Sequence, residues 1–208
     1  MEDLTSILTV GIISLVAAIS PGPDFFIVLK NSLTHSRKAG FLTAFGVSLA
    51  VLIHLTYTLV GIGVLIIESP ILYGVIKYVG VAYLFYIGLK SIISSFGHAT
   101  MNLEMAKSKK KITTFGAISQ GFLTNLLNPK AAIFFISLFS QFIDPNTPTY
   151  LRVEFAIINW AACIGWFLCL SYIVTINGFT ERLQRFQNPI DRIMGGALLL
   201  LGVKLLFV

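Results

Sequence analysis

Residues 15–29 read LVAAISPGPDFFIVL, an apolar run that two prolines, a glycine and an acid interrupt near its centre. Residues 119–136 read SQGFLTNLLNPKAAIFFI, a second apolar run with a proline near its middle. Proline lacks an amide proton and clashes with the preceding helical turn. Each run therefore predicts a helix that is broken within its length.

The composition around these two runs indicates a membrane protein. Of the 208 residues, 56% are hydrophobic and only 12% are charged, and the mean hydropathy is +0.86. This apolar content exceeds what one soluble core can bury, and a disordered chain would need low hydrophobicity and high charge. We therefore exclude a soluble globular enzyme and predict an integral membrane protein in contact with the lipid bilayer.

Six apolar runs are long enough to cross the hydrocarbon core of a bilayer, which takes about 20 helical residues. The six predicted spans are Leu4–Leu29, Phe41–Ile67, Ile71–Leu89, Ile112–Ile143, Val153–Ile176 and Ile190–Val208. We predict an all-α integral membrane protein with six transmembrane helices. The whole chain, residues 1–208, forms a single polytopic membrane domain in this interpretation.

Lysine and arginine are distributed unevenly between the loops. The first, third and fifth loops contain Lys30, Arg37, Lys38, Lys90, Lys107, Lys109, Lys110, Lys111, Arg182, Arg185 and Arg192, whereas the other side has only Lys77, Arg152 and Lys204. Short cytoplasmic loops carry the positive excess, so both termini are predicted to be extracytoplasmic. Because the basic residues lie between apolar runs and not on a soluble basic face, no nucleic-acid partner is predicted.

The two halves of the chain share features that indicate an inverted repeat. Their last helices share a pattern of leucine, glycine and lysine, at Leu84, Gly88 and Lys90 and at Leu198, Gly202 and Lys204. Each half has three helices, so the second half is inverted relative to the first. The repeats cover about residues 1–93 and 112–208, with a cytoplasmic loop at 94–111 between them. Interrupted helices at corresponding positions of inverted halves are typical of secondary transporters and mark the binding site.

The chemistry of the breaks favours an anion between them. Ser20-Pro21 and Asn128-Pro129 each predict an N-cap residue followed by proline at the first helical position, which starts a new half-helix inside the span. Since the halves are inverted, the positive end of one half-helix approaches from each side, and a carboxylate between them would be stabilised. A proline kink without any ligand is the alternative.

Asp24 and Lys130 are the charged residues at the two breaks. A charge within a span costs about 2.5–3.5 kcal/mol on insertion scales, so such residues usually face a pathway or a partner. Asp24 would hold a substrate ammonium or accept a proton, and Lys130 would attract a carboxylate. The alternatives are an acid that stabilises the half-helix dipole and a lysine that is ion-paired or reaches the membrane surface.

Polar residues near the breaks complete the candidate site. Asn125 and Asn128 lie one turn apart and can face one cavity, although membrane amides often join helices instead. His54 is either a hydrogen-bonded helix contact or a proton relay. The candidate substrate-binding or coupling residues are Asp24, Lys130, Asn128, Pro21, Gly22, Pro23, Pro129, Asn125 and His54. No catalytic residue, metal ligand or cofactor is predicted.

Other residues of the second and fifth spans are predicted to shape the helix contacts. Gly46, Gly61 and Gly63 lie on the second span, where small residues allow the backbones of neighbouring helices to approach closely. On the fifth span, Asn159 and Trp160 are candidates to line the cavity, and the tryptophan could instead anchor the helix at the membrane surface.

Several motifs together resemble a known family. They are Ser20-Pro-Gly-Pro-Asp24-Phe-Phe, Ser36-Arg-Lys-Ala-Gly40, Gly80-Val-Ala-Tyr-Leu84 and Gly121-Phe-Leu-Thr-Asn-Leu-Leu-Asn-Pro-Lys130. The chain resembles the LysE/RhtB family of bacterial amino-acid exporters, which includes homoserine and threonine efflux proteins. The resemblance implies export of an amino acid or a close derivative across the bacterial inner membrane, driven by the proton-motive force.

These observations predict a secondary transporter, not an enzyme, that exports amino acids by proton antiport. Its partners would be the amino-acid substrate, the proton and the lipid bilayer, and assembly into a homo-oligomer is left open. The alternative is an intramembrane thiol-transfer protein or another non-transport membrane protein. Thiol transfer would need cysteines on different helices near the pathway, whereas Cys163 and Cys169 both lie on the fifth span.

The charge asymmetry gives a test of topology. A reporter fused after Val208 should behave as extracytoplasmic, because an even number of spans returns the chain to the side on which it started. Alkaline phosphatase activity with no activity of a cytoplasmic reporter at the same position is the expected result. A cytoplasmic signal would mean that one span is miscounted.

Overall fold

The computed structural model describes residues 2–96, 112–176, 188–189, 192–193, 195–196, 198–200 and 202–203. Seven helices are bounded within this part: α1 Glu2–Ile19, α2 Pro23–Thr34, α3 Arg37–Glu68, α4 Pro70–Ser94, α5 Thr114–Leu126, α6 Pro129–Phe142 and α7 Thr149–Ile173. The described positions from 188 to 203 are helical as well, and the described residues contain no β-strand. The all-α prediction is confirmed for this part of the chain.

Three of these helices are long and apolar enough to cross a membrane without interruption. They are the stretches Arg37–Gly63 in α3, Ile71–Ile93 in α4 and Thr149–Ile173 in α7. The α1–α2 pair is bent by 59° and the α5–α6 pair by 58°, and each pair qualifies when it is counted as one span. The described residues therefore give three to five spans, where the sequence predicts six.

Parts of three predictions lie outside the described residues. Much of the sixth span, Ile190–Val208, is not described, and neither is most of the loop at 94–111. The second half of the inverted repeat depends on that span. Six spans and an inverted repeat therefore stay predictions.

The first break differs in detail from the sequence prediction. The Ser20 amide donates to the Val16 carbonyl at 3.2 Å, so this residue ends the α1 turn. The N-cap of α2 is Gly22, in an extended conformation and with no side-chain cap, and Pro23 opens the helix. The prediction that Ser20 caps the half-helix is wrong. A residue before proline avoids the α conformation, and Gly22 precedes Pro23, so the helix starts two residues later.

The second break follows the prediction. Asn128 is the N-cap of α6, and its Oδ1 accepts a hydrogen bond from the Lys130 amide at 3.0 Å. Pro129 occupies the first turn, where its missing N–H costs nothing because that group would have no partner in the helix. The asparagine cap and the proline together explain why α6 starts here.

Side-chain contacts show the relative directions of the helices. The α2–α5, α3–α7 and α4–α6 pairs are each antiparallel. For α2 and α5, Asp24 contacts Asn125 and Asn31 contacts Gln120. For α3 and α7, Arg37 contacts Thr175, just beyond the end of α7, and Ser48 contacts Trp160. For α4 and α6, Tyr73 contacts Ser140 and Tyr83 contacts Lys130. α5 and α6 keep one overall direction through their bend. This alternation is what consecutive spans of a polytopic protein require.

α3 and α5 approach until their backbones touch. A Cβ on Gly46 would lie 2.0 Å from the Ile118 carbonyl oxygen, and one on Gly121 would lie 2.0 Å from the Thr43 carbonyl oxygen. Lipid chains are as apolar as leucine, so close van der Waals packing, and not hydrophobic burial, drives helix association in a bilayer. The predicted close contact at Gly46 is confirmed.

The same prediction is wrong for the two later glycines of α3. Among the described atoms, a Cβ on Gly61 would meet none within 4 Å, and a Cβ on Gly63 would meet only Arg152 Nη1, at an ordinary 3.6 Å. Both residues lie beyond the segment of α3 that packs against α5. A glycine in an apolar run therefore does not by itself identify a helix contact.

The two kinds of glycine give a stability test. Gly46→Ala should destabilise the protein by about 1–3 kcal/mol, because the added methyl group overpacks a backbone contact. Gly61→Ala is the matched control and should leave stability unchanged or raise it, since alanine favours the helix by about 1 kcal/mol. Thermal unfolding of both variants in detergent measures the difference. Equal melting temperatures would contradict the backbone contact between α3 and α5.

Candidate functional site

A cavity lies where the two helix breaks meet. The volume that the centres of water molecules can occupy in it is about 60 Å³. This is room for about four to six ordered waters, which fill about 120–180 Å³ in the liquid. A free amino acid has a volume of this order. The lining residues are Ser14, Ala17, Ala18, Ser20, Gly22, Asp24, Phe25, Asn125, Asn128, Lys130, Ala131, Phe134, Phe135, Asn159, Cys163, Phe167 and Leu198.

The Asp24 carboxylate joins the two breaks. Asn125 Nδ2 and Asn128 Nδ2 each donate a hydrogen bond to Asp24 Oδ2 at 3.0 Å. Asp24 lies in the first turn of α2, and the two amides lie on either side of the α5–α6 bend. The sequence prediction that the two interrupted helices approach each other is confirmed by these contacts.

Two acceptor atoms of this cluster have no donor. Asp24 Oδ1 and Asn125 Oδ1 are buried and make no hydrogen bond to any described residue. A buried polar atom without a partner costs about 1–3 kcal/mol, and more for a charged group. Both atoms only accept hydrogen bonds while Asp24 is ionised, so a ligand that donates several N–H groups would satisfy them. A primary ammonium has this chemistry.

A positive region lies beside the acceptors. The Lys130 ammonium donates to Ser20 Oγ at 3.4 Å. It also passes over the first break, because a Cβ on Gly22 would lie 3.4 Å from Lys130 Nζ. The α2 N-terminus at Gly22 has no side-chain cap, and the free amides of a helix N-terminus attract anions. A carboxylate group of a ligand would be stabilised here.

His54 contacts Asn125 from outside the cavity. Its ring is buried and stacks on the Phe135 ring, with 5.4 Å between the centroids. His54 Nε2 lies 3.1 Å from the Asn125 carbonyl oxygen, and Nδ1 lies 2.6 Å from the Tyr57 hydroxyl. Because the carbonyl only accepts, Nε2 donates to it. His54 is not among the residues that line the cavity. The hydrogen-bonded helix contact, one of the two predicted alternatives, is present, and a role as proton relay stays a prediction.

The structure separates the predicted site residues into two groups. Asp24, Asn125, Asn128, Lys130 and Gly22 line the cavity. The three prolines at the breaks set the direction of the helices and are not among the lining residues; they are Pro21, Pro23 and Pro129.

The cavity also has walls that sequence reasoning largely missed. On α7, Asn159, Cys163 and Phe167 follow one another at intervals of four residues and face the cavity, whereas Trp160 is not among the lining residues and donates to the Ser48 carbonyl at 3.2 Å. The spacing of four is a signal that could have found this face. In a membrane helix, however, the lipid-facing side is also apolar, so the sequence alone does not distinguish the two sides.

Asn128 both caps α6 and donates a hydrogen bond to Asp24, and substitutions can separate these two contributions to stability. Asn128→Ala removes the α6 cap and one hydrogen bond to Asp24, and we expect a loss of about 1 kcal/mol for the cap alone. Asn128→Ser keeps an oxygen that can cap the helix and loses the amide donor, so it should be the more stable variant. Melting temperatures in detergent, with Leu127→Ala as the exposed control, measure the order. Equal destabilisation by serine and alanine would mean that the cap contributes little.

Comparison with known proteins agrees with this architecture. The model of the LysE type translocator family matches residues 15–208. The leucine efflux protein of Salmonella typhimurium is 35% identical over 162 residues, covering 76% of this chain and 73% of the relative. An uncharacterized membrane protein of Bacillus subtilis, YrhP, is 33% identical over 201 residues, covering 92% and 94%. No solved structure matches the chain.

The family match covers both helix breaks and the residues that join them, Asp24, Asn125 and Asn128. The described helices are those of a multi-pass membrane protein. The chain belongs to the LysE type translocator family.

Proposed function

We propose that this protein exports amino acids from the cytoplasm by exchange for protons, with Asp24 as the group that binds both. The family model and the leucine efflux relatives support amino-acid export across the bacterial inner membrane. The coupling to protons and the role of each residue are inferred from the geometry of the cavity.

The observation that carries the proposal is the pair of buried acceptors without a donor, Asp24 Oδ1 and Asn125 Oδ1. They lie in the same cavity as the Lys130 ammonium and the uncapped start of α2. A zwitterionic amino acid matches this arrangement, with its ammonium at the two acceptors and its carboxylate at Lys130 and the helix N-terminus. One molecule would then satisfy both charged regions at once.

Exchange with protons follows from competition for one carboxylate. The ammonium of the substrate binds the ionised form of Asp24, and a proton converts that form to a neutral acid. The two ligands therefore exclude each other, which couples release of the amino acid to uptake of a proton. One proton that enters down 100 mV yields about 2.3 kcal/mol, which supports a gradient of about fortyfold at 1.4 kcal/mol per decade.

The amides of Asn125 and Asn128 keep the carboxylate in place during this exchange. Both donate to Oδ2, which leaves Oδ1 directed to the ligand. His54 holds the Asn125 carbonyl and so fixes the end of α5 from which the amide projects. In this mechanism His54 positions the site and does not itself touch the substrate.

Thiol transfer, the alternative function, finds no support in this geometry. Cys163 lines the cavity, whereas Cys169 lies exposed on the same helix, six residues further on. The chain has only these two cysteines. A dithiol exchange would need both thiols in one place.

Asp24→Asn tests the proposal, because the amide keeps the size of the side chain and removes its charge and its titration. We expect the variant to reach the membrane in normal amounts and to lose proton-driven transport of L-leucine or L-alanine by more than tenfold. Transport is measured in proteoliposomes of the full chain with an imposed pH gradient. Glu154→Gln, at an exposed position of α7, is the matched control and should transport normally.

Three outcomes would contradict this proposal. Normal gradient-driven transport by Asp24→Asn would reduce Asp24 to a residue of the helix start. Retained exchange of labelled for unlabelled amino acid by this variant would show that Asp24 does not bind the substrate ammonium. Equal transport with and without the pH gradient in the unmodified protein would exclude proton coupling.

A further inference from the structure

The cavity has an apolar wall whose composition bears on the side chain of the substrate. Apart from the polar residues at the breaks and one amide–hydroxyl pair, the described lining residues are alanines, phenylalanines, a leucine and a cysteine. Its bulky members are Phe25, Phe134, Phe135, Phe167 and Leu198. Such a wall offers van der Waals contact and no hydrogen bond.

In the proposed function, the charged residues that line the cavity bind the α-ammonium and α-carboxylate groups of the amino acid. Among the described lining residues, only Asp24 and Lys130 carry a formal charge. If they bind the ammonium and the carboxylate, a second charge on the substrate has no partner. Burying an unpaired charge is costly, so lysine and glutamate should be poor substrates.

The amide and the hydroxyl in the wall are hydrogen-bonded to each other. Asn159 Nδ2 donates to Ser14 Oγ at 2.7 Å, and Ser14 Oγ donates its single proton to the Val10 carbonyl at 2.6 Å. Both residues are buried. They hold α1 against α7, and the hydroxyl has no proton left for a substrate.

Cys163 occupies the middle of this wall. It lies four residues from Asn159 and four from Phe167 on the face of α7 that lines the cavity. On α1 the lining residues are the small Ser14, Ala17 and Ala18. Cys163 is a free thiol and is smaller than the phenyl rings in the lining, so a larger residue at this position would reduce the room beside α7.

We infer that the substrate side chain packs against Cys163 and the neighbouring phenyl rings, and that the cavity therefore selects amino acids with neutral, apolar side chains. This inference rests on the proposed function, because it takes the ammonium and carboxylate to be bound at the breaks. It adds the class of side chain and the residue that limits its size.

Protection of the Cys163 thiol tests the contact. In the Cys169→Ala variant Cys163 is the only cysteine, and its alkylation by N-ethylmaleimide is followed in proteoliposomes. L-Leucine or L-valine at ten times its dissociation constant should slow alkylation by about tenfold, from simple occupancy. L-Lysine and L-glutamate at the same concentration should not. The Cys163→Ala variant, which keeps only exposed Cys169, should react at one rate under all conditions.

Enlarging the residue gives a second, independent measurement. Cys163→Phe should reduce transport of L-leucine at least tenfold more than transport of L-alanine, because the larger side chain needs more of the space beside residue 163. Cys169→Phe adds the same bulk on the exposed side of α7 and should change neither. A melting temperature in detergent equal to that of the unmodified protein shows that the variant is folded.

The outcomes distinguish this inference from the proposed function. Transport of L-leucine with equal protection by L-lysine, or an equal loss of L-alanine and L-leucine transport in Cys163→Phe with normal thermal stability, would overturn the apolar side-chain pocket and leave amino-acid export standing. Absence of transport for every amino acid tested in the unmodified protein would overturn both.

Discussion

The structure depends on how the backbone groups that are freed at two helix breaks are satisfied away from water. In a bilayer, irregular backbone persists only where protein or a water-filled cavity covers it. At the second break the Asn128 side chain accepts a hydrogen bond from the Lys130 backbone amide and so caps α6. The side-chain amides of Asn125 and Asn128 also donate hydrogen bonds to the Asp24 carboxylate at the first break. The polar residues that make the breaks tolerable are the same residues that surround the cavity.

The cavity lies on one side of the breaks only. α2 and α5 contribute residues from the turns next to the breaks, whereas α1 and α6 each line it over two turns. On the other side, Val28 and Leu29 are fully buried, and Asn31 joins Thr43 and Gln120 by hydrogen bonds of 2.9 and 3.0 Å. With both termini outside, as the charge distribution predicts, the space would lie towards the extracytoplasmic side of Asp24.

Local rules predicted the features that a few neighbouring residues determine. The prolines predict both breaks, and the Asn128-Pro129 pair predicts the α6 cap. The same rule failed at Ser20, because a second proline two residues further on moved the helix start to Pro23. Features that depend on which helices are neighbours were harder to predict. Gly46 packs against α5, whereas a Cβ on Gly61 would meet no described atom within 4 Å, yet both glycines occupy similar apolar surroundings in the sequence. The contact of His54 with a carbonyl on α5 is of this second kind.

The contact of Gly46 and Gly121 limits how the bundle can rearrange. Flexible side chains let helices slide past each other in small steps. Here the backbone of each helix occupies the space where a side chain would lie if the other helix had no glycine. A shift by one residue would drive a side chain into a carbonyl group, so α3 and α5 keep their register and act as one rigid body. A change of shape in this protein would therefore move other helices relative to the α3–α5 pair.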